Sequence, residues 1–200
     1  MTKIKLCGLT RIEDALAAND ASPDLVGLVF EPGRHFVSDE TAAAIRKALR
    51  ADIPAVGVFV REPEEHVLSL LERGIIQGVQ LHGDEPEEYL LSLKRKTAGF
   101  FIRAVSVKTE KDVLRWQKTA ADYLLLDHGK GGTGRSFDWT VIPEMKRPWF
   151  MAGGIGEGNL PQALAYHPYG VDISSGAEID GLKDREKMIR LVRMVRSAKK

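Results

Sequence analysis

The sequence predicts a closed (β/α)8 barrel of the α/β class, and three observations carry that prediction. Short apolar runs recur eight times: Ile4–Cys7, Leu25–Phe30, Ala55–Val60, Gly78–Leu81, Phe100–Val105, Tyr123–Leu126, Trp149–Ala152 and Gly170–Ile173. Most of these runs are continuous rather than alternating, as in parallel strands covered on both faces. Helix-patterned segments stand between them, and alternating strand and helix implies right-handed parallel crossovers.

Each helical segment carries its own start signal. Thr10-Arg11-Ile12-Glu13 has the form of a capping box. Ser38 caps the second helix, with Asp39 and Glu40 at the positive end of its dipole. Pro63 and Pro86 suit first-turn positions and are followed by acidic residues. Thr109-Glu110-Lys111-Asp112 repeats the cap pattern. Phe137–Ile142 allows only a short helix, and so does Asn159–Tyr166. The last helix sets Met188, Leu191, Val192 and Val195 on one stripe.

Eight units in 200 residues fall at the compact end for such a barrel. With no linker or low-complexity tract, residues 1–200 are expected to form one domain. The competing architecture is a doubly wound open sheet. It would call for Gly-x-Gly-x-x-Gly after the first strand, where Cys7-Gly8-Leu9-Thr10 stands instead.

Hydrophobic residues make up 44% of the chain, enough for a packed core. Charged residues make up 28% and the formal net charge is +1, a balance that argues against a nucleic-acid partner. The basic run from Lys183 to Lys200 is helix-patterned and fits a solvated face. No stretch approaches the roughly 18 apolar residues of a membrane helix, and no signal-peptide stretch opens the chain. A single cysteine, Cys7, excludes an internal disulfide and a multi-cysteine zinc site. The expectation is a cytoplasmic protein without metal, membrane or nucleic-acid partner, monomeric or homodimeric.

In a barrel, the C-terminal strand ends converge on one mouth. There the sequence places Cys7, Arg34-His35, Gln80-Leu81-His82-Gly83, Arg103, Asp127-His128, Gly153-Gly154 and Asp172-Ile173-Ser174-Ser175-Gly176. Gly153-Gly154 lets backbone N–H groups approach an anion, and Ser174, Ser175 and Gly176 add donors on the adjacent strand end. Tight turns alone would explain one such cluster; two neighbouring ones point to a phosphate. Gly131-Gly132-Thr133-Gly134 is either a loop that covers substrate or a flexible turn. A lone cysteine is usually a small core hydrophobe, but the strand-end position of Cys7 favours a chemical role. Asp127 ends an apolar run, where burial is expected to raise its pKa and suit it to general-acid work. Cys7 and Asp127 thus form a possible base–acid pair.

These segments together resemble the phosphoribosylanthranilate isomerases of tryptophan biosynthesis. The matching pieces are Lys5-Leu6-Cys7-Gly8-Leu9-Thr10, Gln80-Leu81-His82-Gly83, Leu126-Asp127, Gly131-Gly132-Thr133-Gly134 with Phe137-Asp138-Trp139, Ala152-Gly153-Gly154-Ile155, and Gly170 through Glu178. The resemblance implies an Amadori rearrangement of a sugar-phosphate substrate without metal or organic cofactor, with Cys7 as general base and Asp127 as general acid. The candidate substrate contacts are Arg34, His35, His82, Gly132, Gly153, Gly154, Asp172, Ser174, Ser175 and Gly176. One position departs from the family pattern. The family's arginine for the anthranilate carboxylate is matched by His35, with Arg34 one residue earlier. Either Arg34 reaches around, or His35 replaces the bidentate guanidinium with a weaker contact.

Two other functions compete. The histidine-pathway isomerase runs the same rearrangement on a two-phosphate substrate, and would call for a second phosphate site near strands three and four. A non-catalytic phosphate-binding barrel would have no use for Cys7 and Asp127.

Overall fold

Eight parallel strands close on themselves in chain order, β1 through β8, with β8 pairing back onto β1. The structure, a computed structural model, describes residues 1–128 and 137–198. The strands are β1 Lys3–Cys7, β2 Leu25–Val29, β3 Ala55–Phe59, β4 Gly78–Leu81, β5 Phe100–Ser106, β6 Tyr123–Asp127, β7 Trp149–Met151 and β8 Gly170–Ile173. Each lies on one of the eight apolar runs. Five crossovers carry helices α1 Ile12–Ala21, α2 Asp39–Ala48, α3 Glu64–Glu72, α4 Glu87–Lys96 and α5 Glu110–Trp116. After β6 the described residues hold only a 3-10 turn, Trp139–Val141; α6 Leu160–Leu164 is short, and α7 Arg185–Ser197 ends the described fold. Among the described residues no helix is long and apolar enough to cross a membrane.

The start signals hold with small shifts. Ser38 Oγ accepts from the Thr41 N–H, and Asp112 Oδ2 accepts from the Thr109 N–H. At α1 the cap moves one residue on, to Arg11, because the Asp14 carboxylate accepts from the N–H groups of both Thr10 and Arg11. Pro63 and Pro86 stand at the cap itself rather than in the first turn. A two-strand hairpin, β9 Glu178–Ile179 and β10 Leu182–Lys183, was not foreseen.

Outward strand residues such as Ile4, Leu6, Leu124 and Leu126 pack under the helices with Met188, Leu191, Val192 and Val195 of α7. Each such large side chain contributes about 1.5–3 kcal/mol on burial. A second apolar cluster of Val56, Ile102, Ala104, Leu125, Phe150 and Ala152 fills the barrel interior. The strand period of two fixes which side chains face inward. On β1 these are Lys5 and Cys7; on β4, Gln80, with His82 just past the strand end; on β6, Leu125 and Asp127.

Candidate active site

Lys5 and Gln80 are the polar exceptions in the barrel interior, 0% and 1% exposed. Lys5 Nζ donates to Gln80 Oε1 and to Asp172 Oδ1, both at 3.0 Å. Since β1 and β4 are not neighbours, the lysine spans the lumen. Burial works against its charge, but Asp172 and Cys7 together outweigh burial and hold the ammonium above its ordinary pKa. Asp172, expected to contact substrate, therefore has one carboxylate oxygen on Lys5.

Cys7 sits one step above Lys5 on the same face of β1. Burial pushes its thiol above the ordinary value, and the Lys5 ammonium opposes that rise only in part. Gly27 of β2 is paired with Cys7. A Cβ at Gly27 would stand 2.5 Å from the thiol sulfur, so glycine makes the room that the thiol occupies. Because Cys7 is the sole cysteine, alkylation reports on it alone. Its reaction with iodoacetamide should accelerate with pH and still be rising at the ordinary thiol value of 9.0, because the thiol stays protonated until higher pH. In Lys5→Met, which removes the opposing charge, the curve should move further up. A plateau near neutrality in the unaltered protein would contradict this arrangement.

Asp127 ends β6 on the same mouth, 7% exposed. Burial pushes its carboxyl up, as expected from the sequence, but its neighbours reverse the outcome. The His82 ring stands 3.4 Å from Oδ2, and the His128 N–H donates to Oδ1 at 2.7 Å. Together they hold Asp127 below the usual carboxylate value of 3.8. The expected raised pKa is thus corrected: the surroundings favour Asp127 as a carboxylate and Cys7 as a thiol. His82 is placed by Gln80, whose Nε2 lies 2.8 Å from His82 Nδ1.

The loops after β7 and β8, expected to hold an anion, meet at the same rim. Gly153 and Gly154 have φ of 86° and 64°, so consecutive amides turn in a way that favours glycine. Asn159 holds this loop, accepting from the Gly156 N–H at 2.8 Å and donating to the Gly154 carbonyl at 3.0 Å. Gly176 lies so close to the Ile155 carbonyl that a Cβ there would collide with it, which joins the two loops. Ser174 and Ser175 are part-exposed at this seam. Lys183 Nζ donates to the Ser174 carbonyl at 3.1 Å. Gly132 lies outside the described residues.

Arg34 and His35 lead to the same carboxylate. Arg34 donates to Glu178 Oε2 at 2.5 Å, and His35 Nε2 lies 2.8 Å from Oε1. Buried Lys183 adds a third contact, to Oε1 at 2.5 Å. The His35 ring packs on the backbone of Gly8, directly after Cys7, whereas the Arg34 side chain is half exposed. Burial pushes Glu178 up, but His35 and Lys183 outweigh it and bring its pKa to about 2 from 4.5. The stabilisation, roughly 3 kcal/mol, is complete above about pH 4.5 and is lost as pH falls toward 2. In Glu178→Gln the denaturation free energy should lose this acid-side slope between those values. An unchanged slope would contradict the Glu178 cluster.

One mouth residue is corrected outright. Arg103 points outward from β5, donating to the Glu85 carbonyl at 2.8 Å and covering the Trp116 ring at 4.6 Å. Strand alternation puts it on the helix side, since Ile102 and Ala104 face inward. Lys5, Gln80 and Glu178 stand in the motifs read from the sequence but without a role assigned to them, and Gly27 and Lys183 had no place among the candidates. A lysine two positions before Cys7 in an apolar strand was a legible signal, since a buried ammonium needs partners.

Fold and mouth define a class: (β/α)8 barrels with a thiol and a carboxylate on one strand-end rim beside a glycine-lined backbone cradle. The sequence model of N-(5'phosphoribosyl)anthranilate (PRA) isomerase matches residues 4–194. A relative from Endomicrobium trichonymphae, named N-(5'-phosphoribosyl)anthranilate isomerase, is 40% identical over 98% of this chain and 100% of its own. The solved phosphoribosyl anthranilate isomerase of Thermus thermophilus is 35% identical, covers 98% of this chain and 99% of its own, and superposes with a TM-score of 0.87. Another solved isomerase, 32% identical over 99% of this chain and 100% of its own with a TM-score of 0.87, holds reduced 1-(o-carboxyphenylamino)-1-deoxyribulose 5-phosphate. The chain belongs to the N-(5'-phosphoribosyl)anthranilate isomerase family.

Proposed function

We propose that the chain catalyses the Amadori rearrangement of N-(5-phosphoribosyl)anthranilate to 1-(2-carboxyphenylamino)-1-deoxyribulose 5-phosphate in tryptophan biosynthesis, in the cytoplasm, as a monomer or homodimer. The observation that carries this proposal is the meeting of Cys7 and Asp127 on one rim next to the Gly153-Gly154 cradle. The small sugar-phosphate ligand of the solved relative supports the substrate class.

The phosphate rests on the backbone around Gly153-Gly154 and Ser174-Ser175-Gly176, away from the bonds that change. Asp127 in its acid form protonates the furanose ring oxygen, which opens the sugar to an iminium ion. That cation acidifies the C2 proton, and Cys7 as thiolate removes it. The enolamine then tautomerises, gaining a proton at C1 and losing one from the C2 hydroxyl, to give the ketone. Cys7 ends as thiol and Asp127 as carboxylate, the protonation that their surroundings favour. Each turnover therefore includes moving one proton back from the thiol to the acid, and Lys5 limits that cost by lowering the thiol pKa. His35, held beside Cys7, is the better placed group for the anthranilate carboxylate; Arg34 closes over Glu178 from outside.

The opposite half of the mouth speaks for a substrate with one phosphate. There the amides of Arg61 and Gly83, at the ends of β3 and β4, donate to the buried Glu85 carboxylate at 2.8 and 3.1 Å. An internal carboxylate thus already takes the amide donors that a second phosphate at these strand ends would need. Offered both aminoaldose phosphates in competition, the purified protein should convert phosphoribosylanthranilate and spare the two-phosphate substrate of the histidine pathway. Comparable conversion of both would overturn the substrate assignment.

A further inference from the structure

We propose that Gln80 is a positioning residue that fixes the tautomer of His82, so that the ring proton sits on Nε2 and faces Asp127. The proposal deepens the function above, because it takes Asp127 as the acid.

The inference follows from donor and acceptor counting along one buried line. An ammonium has donors only, so the group Gln80 turns toward Lys5 Nζ at 3.0 Å must be its carbonyl oxygen. Lys5 cannot turn away, since Asp172 holds it on the other side at 3.0 Å and it is fully buried. The amide NH2 of Gln80 is thereby aimed at His82 Nδ1, 2.8 Å away. A donor at that distance requires a lone pair on Nδ1. The proton of the neutral ring is then on Nε2, which faces Asp127 Oδ2 at 3.4 Å.

The consequence for the acid is one of sign. With Nε2–H facing it, Asp127 is stabilised as a carboxylate after it gives up its proton. With the other tautomer, a ring lone pair would face the carboxylate and oppose that state. Lys5 thus serves both reacting groups: directly as the cation beside Cys7, and through Gln80 and His82 as the source of order at Asp127. No other described residue links the two.

Gln80→Glu tests this while keeping shape and the Lys5 contact. A carboxylate has no donor for Nδ1, so it draws a proton there. Nitrogen-15 NMR of labelled histidine should show His82 with bare Nδ1 and protonated Nε2 in the unaltered protein, and with protonated Nδ1 in the variant. kcat should fall on the order of 10- to 100-fold with KM close to its original value. Protonated Nδ1 in the unaltered protein, or bare Nδ1 in Gln80→Glu, would overturn the proposal. Should the variant not fold, the unaltered protein still decides, and Lys5→Met supplies the second arm: freed from the ammonium, the Gln80 amide can turn, and the second tautomer should become populated. The NMR result does not depend on turnover. An inactive protein with the expected tautomer would count against the isomerase assignment and leave the Gln80 inference standing.

Discussion

Cys7→Ser is expected to lower kcat by about 10²- to 10⁴-fold, the usual contribution of a positioned general base. The substitution keeps the volume and the hydrogen-bonding atom nearly in place, in the pocket that Gly27 leaves open. A serine hydroxyl, however, does not ionise near neutral pH even beside the Lys5 ammonium. The fold should be unaffected, because the barrel wall on either side rests on Leu6 and Leu9, which face the helices. Product binding should also persist, since the proposed phosphate contacts at Gly153-Gly154 and Ser174-Ser175-Gly176 and the Glu178 cluster lie on other strand ends. Steady-state kinetics with a thermal melt alongside makes the check. Loss of activity together with a lower melting temperature would speak only of structure; loss at constant melting temperature identifies the base.

Asp127→Asn should lower kcat by a similar factor, for the opposite reason. The amide is nearly the same size and still accepts from the His128 N–H, but it has no acidic proton to deliver to the ring oxygen. His82 then faces an uncharged group. Because the fold holds Asp127 below the ordinary carboxylate value, its ionised form contributes stability near neutral pH, so the variant should be slightly less stable there. Near-normal turnover in both Cys7→Ser and Asp127→Asn would sink the assignment of roles, whatever the fate of each alone.

The barrel was legible because its signal is repeated and local. Eight apolar runs set the strands, and caps such as Ser38 and Thr109 set the helices between them. Cys7, Asp127 and the Gly153-Gly154 turn stood out because each breaks its own strand run at the C-terminal end. What the sequence could not supply was partnership across the lumen. Arg103 and Gln80 look alike as polar residues within apolar strands, yet one faces helices and the other faces Lys5. Only the strand register, through the alternation of Ile102 and Ala104, separates them. The same holds for the Asp127 pKa. Burial alone would raise it, and the reversal depends on His82, which lies 45 positions earlier by number and reaches Asp127 only once the barrel closes. Glu178 was noticed as part of a motif, but its three partners, Arg34, His35 and Lys183, come from the segment after β2 and from β10.

The account stands most directly on turnover itself. Purified protein, mixed with an excess of N-(5-phosphoribosyl)anthranilate in the presence of a metal chelator, should convert many equivalents to 1-(2-carboxyphenylamino)-1-deoxyribulose 5-phosphate. Stoichiometric binding of that product, with no conversion of substrate, would show instead a barrel that holds a sugar phosphate and performs no chemistry on it.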